Sequence, residues 1–182
     1  MTRKSRGVLV GRFQPLHNGH VHVLERILEG EDEAIIAIGS AQESFTLDNP
    51  LTAGERIEMV RAFLEERSLL DRVLTVPIPD IEENLVWPAR VKEYTPVFDR
   101  VYSGNSLVLN LFRSFEIPIV KLDLIRRDEY EGTSIRNRIA NGKKWQQLVP
   151  VSILPVLKRV GFSKRIKMLS SWHKERGTDD EN

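Results

Sequence analysis

Short apolar segments that end in glycine-bearing turns, with helical segments between them, constrain the fold of this chain more than any other feature. The first is Val8-Leu9-Val10, which ends at Gly11 and precedes a helical pattern from about Gly19. Apolar segments at 33–39 and 99–103 end in turns of the same kind. Strands that alternate with helices predict a parallel sheet covered on both faces. Because the carboxyl ends of parallel strands meet at one edge of a sheet, we expect these turns to lie together there.

The alternation predicts an α/β fold: a Rossmann-like, doubly wound parallel sheet of about five strands, followed by a helical C-terminal segment. Thr52 and Glu55 have the spacing of a capping box, which predicts the start of the second helix. Pro118 indicates that the fifth strand lies at an edge of the sheet. The predicted strands are Gly7–Val10, Glu33–Gly39, Val73–Val76, Asp99–Ser103 and Ile117–Val120, and the predicted helices include Gly19–Leu28 and Ser163–His173.

Composition indicates a globular protein that needs neither disulfides nor a membrane. The chain has 182 residues, of which 41% are hydrophobic and 29% charged, and it has no cysteine. The absence of cysteine excludes a disulfide framework, a thiolate zinc site and a cysteine nucleophile. No apolar run approaches the roughly 20 residues that a membrane span needs.

The N-terminal residues 1–6 are basic but lead into a strand rather than the apolar region of a signal peptide, so we expect a cytoplasmic protein. The formal net charge of +1 gives no global basic balance, and we expect no nucleic-acid partner. We also expect a single domain over 1–182, with an α/β core at 7–131, a helical part at 132–175 and a frayed polar tail at 176–182.

The turn between the first strand and the first helix carries the groups best suited to chemistry. His17 and His20 are three residues apart, so both can face one pocket at the helix start. Arg12 can bind phosphate through two parallel hydrogen bonds, and Gly19 allows a ligand close to the backbone. This set suits transfer at the α-phosphate of a nucleotide, where the attacking phosphate is already ionised and needs no strong base. Zinc ligation is the alternative, but no cysteine or obvious carboxylate ligand lies nearby.

The stretch Gly11-Arg12-Phe13-Gln14-Pro15-Leu16-His17-Asn18-Gly19-His20 resembles the HxGH signature of the nucleotidylyltransferase superfamily. Five further segments are similar to the archaeal-type nicotinamide-nucleotide adenylyltransferases, and the resemblance extends over most of the chain. It implies the transfer of AMP from ATP to nicotinamide mononucleotide, giving NAD and pyrophosphate. It also implies Mg²⁺, held mainly by the ATP phosphates, and a homo-oligomer. The five segments are Gly39–Gln42, Asn49–Arg56, Pro79–Trp87, Tyr102–Asn105 and Tyr130–Arg136.

The resemblance implies a role for individual residues, most of them at the carboxyl edge of the predicted sheet. The implied catalytic residues are His17, His20, Arg12 and Arg136. The implied ATP-binding residues are Gly11, Phe13, Gln14, Gly104, Asn105, Arg127, Tyr130, Thr133 and Ser134. The residues implied to bind nicotinamide mononucleotide are Gly39, Ser40, Asp80, Asn84 and Trp87.

Physical chemistry supports several of these roles. Arg136, predicted in the first turn of a helix, can bind the β- and γ-phosphates together with the helix amides. Thr133 or Ser134 can also be an ordinary helix cap. A positively charged pyridinium favours the indole face of Trp87, which is otherwise a core residue, and the amide of Asn84 can meet a carboxamide.

Three features leave other interpretations open. Asp80 can bind ribose, orient a neighbour or cap the segment that follows. Many relatives carry histidine where Phe45 stands, so no phosphate contact is carried over to that position, although the polar loop at 43–49 is expected to close over substrate. The acceptor can also be nicotinate mononucleotide, FMN or phosphopantetheine.

Two other classes of protein fit less well. A class I aminoacyl-tRNA synthetase shares an HxGH-like turn, but the chain is too short for an anticodon-binding domain and has no Lys-Met-Ser-Lys-Ser-like loop. A non-catalytic nucleotide sensor or nucleic-acid-binding module would be expected to have lost His17, His20 or Arg136, and all three are present.

Overall fold

The computed structural model describes residues 3–81, 84–123 and 129–179, and the side chains of Asn84 and 174–179 are outside this description. Five parallel strands form one sheet in the order β3-β2-β1-β4-β5. The strands are β1 (Arg6–Gly11), β2 (Glu33–Ile38), β3 (Val73–Pro77), β4 (Arg100–Ser103) and β5 (Ile119–Lys121). The helices are α1 (Asn18–Gly30), α2 (Ala53–Glu66), α3 (Trp87–Tyr94), α4 (Ser106–Arg113), α5 (Gly132–Ala140), α6 (Leu154–Arg159) and α7 (Phe162–Asp179). The predicted doubly wound α/β fold is confirmed.

Alternate residues of the central strands face two separate cores. In β1, Leu9 packs with α1 and α2 on one face of the sheet, while Val8 packs with α3 and α4 on the other. In β2, Ile36 belongs to the same core as Leu9, and Ile35 belongs to the same core as Val8. Because both faces are covered, β1 and β2 consist almost entirely of apolar residues, as expected for a buried parallel sheet.

Several predicted boundaries shift by one or two residues. β3 includes Pro77 instead of stopping before it, because β3 is an edge strand and a missing backbone N–H costs little there. β5 begins at Ile119, after Pro118, and lies at the other edge as predicted. The capping box of α2 forms: the Thr52 hydroxyl accepts from the Glu55 amide, and the Glu55 carboxylate accepts from the Thr52 amide.

The C-terminal helix is longer than its pattern predicts. It starts at Phe162 and continues to Asp179, into the stretch that was expected to fray. Its inner face adds Ile166 and Leu169 to the core, whereas Met168 and Trp172 are exposed. Within the described ranges, no helix is long and apolar enough to cross a membrane.

Candidate active site

A cavity of about 260 Å³ lies at the carboxyl edge of the sheet, between the ends of β1 and β4. The strand order reverses at this point, which is where open α/β sheets bind ligands. The cavity brings together most of the residues to which the sequence assigned a phosphate or ATP role. Its lining includes Gly11, Arg12, Phe13, Gln14, His17, His20, Gly104, Asn105, Tyr130, Thr133 and Arg136. Ser134 does not line it, and Arg127 is outside the described residues.

The two histidines form a stacked, buried pair at the start of α1. Their ring centroids are 3.7 Å apart, and the Phe13 ring packs against His20 at 4.4 Å. The His17 amide donates to Nδ1 of His20 at 3.3 Å, which leaves the His20 proton on Nε2. Nε2 lies beside Gly11, where a Cβ would approach it to 3.1 Å. His20 can therefore donate a hydrogen bond into the cavity from Nε2.

Burial keeps both imidazoles neutral. It lowers the pKa of His17 to about 4, and it lowers the pKa of His20 well below its ordinary value, with a further contribution from His17. Nδ1 of His17 is buried and has no hydrogen-bond partner among the described residues. An unpaired buried nitrogen is costly, so this atom is suited to a ligand that would supply the missing partner. Gly19, in turn, is required by packing, since a Cβ there would lie 3.0 Å from that nitrogen.

The two predicted phosphate-binding arginines face the same space. Arg136 is almost fully buried, and its guanidinium donates to the Gln14 carbonyl at 3.0 Å and to the Thr133 hydroxyl at 3.2 Å. Burial and the nearby charge of Arg12 lower the pKa of Arg136, in that order. Two guanidinium groups held close enough to repel each other form a site for an anion.

Some predicted ATP ligands have a different local role. The side-chain amide of Gln14 is buried and bonded to both backbone groups of Leu51, so Gln14 contributes its backbone carbonyl, which holds Arg136. Thr133 does not cap α5, whose N-cap is Glu131, because its hydroxyl accepts from Arg136 instead. Arg136 is the fifth residue of α5, beyond the first turn where it was predicted.

A second group of predicted residues meets at the end of β2, next to the phosphate turn. The Gly39 amide donates to the Gly11 carbonyl at 2.9 Å, which joins the two turns. Asp80 orients a neighbour, since its carboxylate accepts from the Ser40 amide at 3.1 Å, and the N-cap of α3 is Val86 rather than Asp80. A Cβ on Gly39 would lie 3.8 Å from Cζ2 of Trp87 and 3.9 Å from the Asp80 carboxylate.

Trp87 begins α3, with Pro88 in the first turn of that helix, where proline is tolerated. Its indole is partly buried and meets the Phe112 ring edge-on, with centroids 5.9 Å apart. The ring therefore has a packed support and lies beside the Gly39 turn. Asn84 begins the short 3₁₀ turn that precedes α3.

Sequence reasoning missed the residue that joins the two turns. Arg56 of α2 is fully buried, and its guanidinium donates to the carbonyls of Arg12 at 3.0 Å, Gly39 at 2.7 Å and Ser40 at 2.9 Å. Burial lowers the pKa of Arg56 to about 10. Arg56 itself entered the sequence analysis only as the last residue of a segment that resembles the family, because no local pattern shows that an arginine binds carbonyls far away in the chain.

A second missed contact connects α7 to the loop at 43–49. Arg165 forms a bidentate ion pair with Glu55 at 2.7 and 2.8 Å and also donates to the Pro50 carbonyl at 2.8 Å. Its guanidinium lies over the Phe45 ring, 4.2 Å from the centroid. Phe45, where the sequence offered no phosphate contact, thus binds a cation of the C-terminal helix.

No group of three or more His, Cys, Asp or Glu side chains in the described ranges could hold a metal ion by itself. Mg²⁺ prefers oxygen ligands and usually takes several of them from substrate phosphates. The cavity, lined by arginine, histidine and one carboxylate residue, Glu131, is consistent with a cation that arrives on a nucleotide.

Removal of the Arg56 guanidinium should destabilise the fold strongly. In Arg56→Met, the carbonyls of Arg12 and Gly39 lose this donor and the Ser40 carbonyl keeps only the Glu43 amide, so we expect the free energy of unfolding to fall by about 3 kcal/mol. Urea unfolding measures this. Arg61→Met is the matched control on the same helix, since Arg61 is exposed and pairs only with Glu65, and it should change stability by about 0.5 kcal/mol or less. Equal losses in the two variants would contradict the role of Arg56.

Acid should destabilise the protein through the histidine pair. The folded pKa of His17 is depressed, so below about pH 6.5 the unfolded chain binds more protons, and stability falls as the pH drops towards about 4. We expect His17 alone to contribute a loss of about 3 kcal/mol over that window. Urea unfolding at a series of pH values gives the free energy of unfolding as a function of pH. This free energy should fall less steeply with decreasing pH in His17→Gln than in the wild type. An identical slope would exclude this account.

Comparisons with known proteins agree with this geometry. A family model described as "Cytidylyltransferase-like" matches residues 8–138. A nicotinamide-nucleotide adenylyltransferase of Thermococcus onnurineus (strain NA1) is 45% identical over 166 residues, which covers 91% of this chain and 89% of that protein. The protein of the same name from Picrophilus torridus is 45% identical over 165 residues, covering 91% of this chain and 97% of its own length.

A solved structure has the same fold. It is described as a bifunctional NMN adenylyltransferase/ADP ribose pyrophosphatase complexed with AMP and Mn ion, from Francisella tularensis. The TM-score is 0.76 at 21% identity, and the match covers 95% of this chain but only about half, 54%, of that longer protein. The sequence relatives and the family model together show that the chain belongs to the nicotinamide-nucleotide adenylyltransferases, within the cytidylyltransferase-like family.

Proposed function

We propose that this protein transfers AMP from ATP to nicotinamide mononucleotide, giving NAD and pyrophosphate. The observation that carries the proposal is the anion site at the end of β1, where Arg12 and Arg136 face one cavity with the neutral pair His17 and His20. The names of its relatives supply the substrate pair. The adjoining turn with Gly39 and Trp87 supplies a place for the acceptor next to the phosphates.

The reaction asks the protein chiefly for alignment and charge stabilisation. An oxygen of the acceptor's 5′-phosphate forms a bond to the α-phosphorus of ATP, and the bond from that phosphorus to the bridging oxygen breaks, so that pyrophosphate leaves. The attacking phosphate is already an anion, and no general base is required. Neutral His20 donates from Nε2 to a non-bridging oxygen as charge accumulates there. His17 offers a second uncharged partner at the same turn.

The leaving group carries the larger charge, and the arginines are placed to receive it. The guanidinium of Arg136 is oriented by the Gln14 carbonyl and the Thr133 hydroxyl, so its position is set before a phosphate arrives. Arg12 is exposed at the rim and can follow the departing pyrophosphate. A divalent cation such as Mg²⁺, when bound with ATP, neutralises charge on the phosphates.

The acceptor base is proposed to stack on Trp87. The indole is supported by Phe112, and a pyridinium above its face would gain a cation–π interaction. Asp80 holds the Ser40 amide and thereby shapes the turn below the base. A homo-oligomer is the assembly that we expect from the resemblance to the family.

One assay series tests the proposed reaction and the role of Arg136. With ATP and Mg²⁺, pyrophosphate release should be fastest with nicotinamide mononucleotide among four acceptors that also include nicotinate mononucleotide, FMN and phosphopantetheine. Arg136→Gln should lower kcat/KM by about 10²–10³-fold, the scale for losing one preorganised transition-state donor.

Arg138→Gln is the matched control, since Arg138 is on the same helix but outside the cavity, and it should retain most of the activity. Dominant turnover with FMN or phosphopantetheine would overturn the acceptor assignment. Near-normal turnover of Arg136→Gln would overturn the phosphate role.

Trp87 should affect one substrate more than the other. We expect Trp87→Ala to raise KM for nicotinamide mononucleotide by about 10-fold, with a much smaller effect on KM for ATP, because a stacked cation contributes about 1–2 kcal/mol. Trp87→Phe keeps an aromatic face and should lie between the wild type and the alanine variant. Steady-state kinetics with each substrate varied in turn make the comparison, and equal changes in both KM values would exclude stacking.

A further inference from the structure

Asp48, a loop residue, forms an ion pair with Arg136, the arginine that is proposed to bind phosphate. Its carboxylate accepts from Nη2 of Arg136 at 3.1 Å. The Arg136 side chain is only 7% exposed, whereas that of Asp48 is 70% exposed. The anion therefore reaches the buried cation from the solvent side, from which a polyphosphate would also arrive.

The other hydrogen-bond partners of Arg136 are uncharged, so they do not neutralise its guanidinium. The Gln14 carbonyl and the Thr133 hydroxyl, its remaining hydrogen-bond acceptors in the described residues, are neutral. The nearby Arg12 is a like charge that disfavours the Arg136 cation, whereas the carboxylates of Asp48 and Glu131 favour it. Of these two carboxylates, Asp48 is the one that forms an ion pair with the Arg136 guanidinium.

The segment that carries Asp48 is a small turn between two anchors. Within the turn, the Thr46 amide donates to the Asn49 carbonyl at 3.3 Å, and the Asn49 amide donates to the Thr46 hydroxyl at 3.0 Å. On one side, Phe45 lies on Arg165, and on the other, Leu51 is bonded through both backbone groups to Gln14. Asp48 is therefore presented by a short turn whose two ends are attached to the rest of the fold.

The turn also borders open space, into which the Asp48 carboxylate could withdraw in the exchange proposed below. A second cavity of about 550 Å³ lies between the loop, α5 and α7. It shares Thr133 and Arg136 with the catalytic cavity, and residues 45–48 form one of its walls. Asp48 thus lines the second cavity, next to the arginine that the two cavities share.

From this arrangement we propose that Asp48 is a place-holding anion, exchanged for a phosphate group of ATP when the nucleotide binds and returned to Arg136 when pyrophosphate leaves. The inference rests on the proposed function. It makes Asp48 a positioning residue of the loop, with no contact to the reacting atoms. No covalent step is involved, since one anionic partner of Arg136 replaces another.

The exchange would limit how tightly the product is held. Pyrophosphate carries more charge than one carboxylate, so at high concentration it displaces Asp48 from the Arg136 guanidinium. The carboxylate, however, is tethered next to Arg136 and competes at a high local concentration. In the proposed exchange, a phosphate that takes the place of the carboxylate breaks its ion pair with Arg136, and Asp48 returns to the guanidinium when that phosphate leaves.

Asp48→Asn tests the proposal, because asparagine keeps the shape but loses the charge. Calorimetric titration with pyrophosphate and Mg²⁺, without acceptor, should show about 3- to 10-fold tighter binding than in the wild type, the range expected for losing one solvent-exposed ionic competitor. Steady-state kinetics should show stronger product inhibition by pyrophosphate and a lower KM for ATP, with no rise in kcat.

Two variants serve as controls. Asp48→Glu keeps the anion and should bind pyrophosphate almost as the wild type does. Asp71→Asn removes the same charge from an exposed position before β3, at the amino ends of the strands. It should leave pyrophosphate binding and turnover unchanged.

Unchanged or weaker pyrophosphate binding by Asp48→Asn, in a protein that still turns over ATP and nicotinamide mononucleotide, would overturn this inference alone. Weaker binding would mean that the carboxylate helps to hold the phosphates or their cation. A wild-type protein that neither binds pyrophosphate nor turns over would overturn the proposed function and this inference together.

Discussion

The buried guanidinium of Arg56 is the interaction on which the candidate site depends. It joins three backbone segments that are far apart in sequence: the turn after β1, the turn after β2 and the start of α2. A charge in a protein interior is costly unless its donors are satisfied, and here carbonyl dipoles take the place of a carboxylate partner. A neutral donor could bond to the same carbonyls, but a cation also adds positive potential beneath a turn that we propose binds phosphate.

Burial explains why the histidines near that turn are neutral while the arginines supply the positive charge. The histidines are inside and uncharged, so they donate or accept without strong repulsion between themselves. The positive charge comes from arginines, whose protonation does not change in the physiological range. The proposed attraction for polyphosphate would therefore persist over a broad span of pH, while the low pKa values of the histidines would reduce the stability of the fold in acid.

The sheet and its active edge could be predicted because their signals are local. Apolar runs that end at Gly11, Gly39 and Gly104 identified the strands whose ends meet, and the structure brings the histidine pair, Arg12 and Arg136 to one cavity there. Boundaries near Pro77 and Pro118 were less accurate, since the cost of a proline depends on whether its strand lies at an edge, and that is a property of the whole sheet.

The contacts that position the site could not be predicted in the same way. Arg56, Arg165 and Asp48 each act through a partner many residues away, on a carbonyl, an aromatic ring or another side chain, and such pairs leave no periodic pattern in the sequence. The alternative role of Thr133 as a helix cap could not be decided from the sequence for a related reason. A hydroxyl at a helix start can accept from the backbone or from a passing guanidinium, and only the tertiary structure decides between them.

The cation that supports Phe45 also bears on where the enzyme ends. The matched family region stops at residue 138, yet Arg165 on α7 holds Phe45 in place and clamps the start of α2 through Glu55. A chain cut after α5 would keep every strand and both histidines but lose the support of the substrate loop. The minimal catalytic unit is therefore larger than the nucleotide-binding fold. A fusion protein that carries this fold would also need α7.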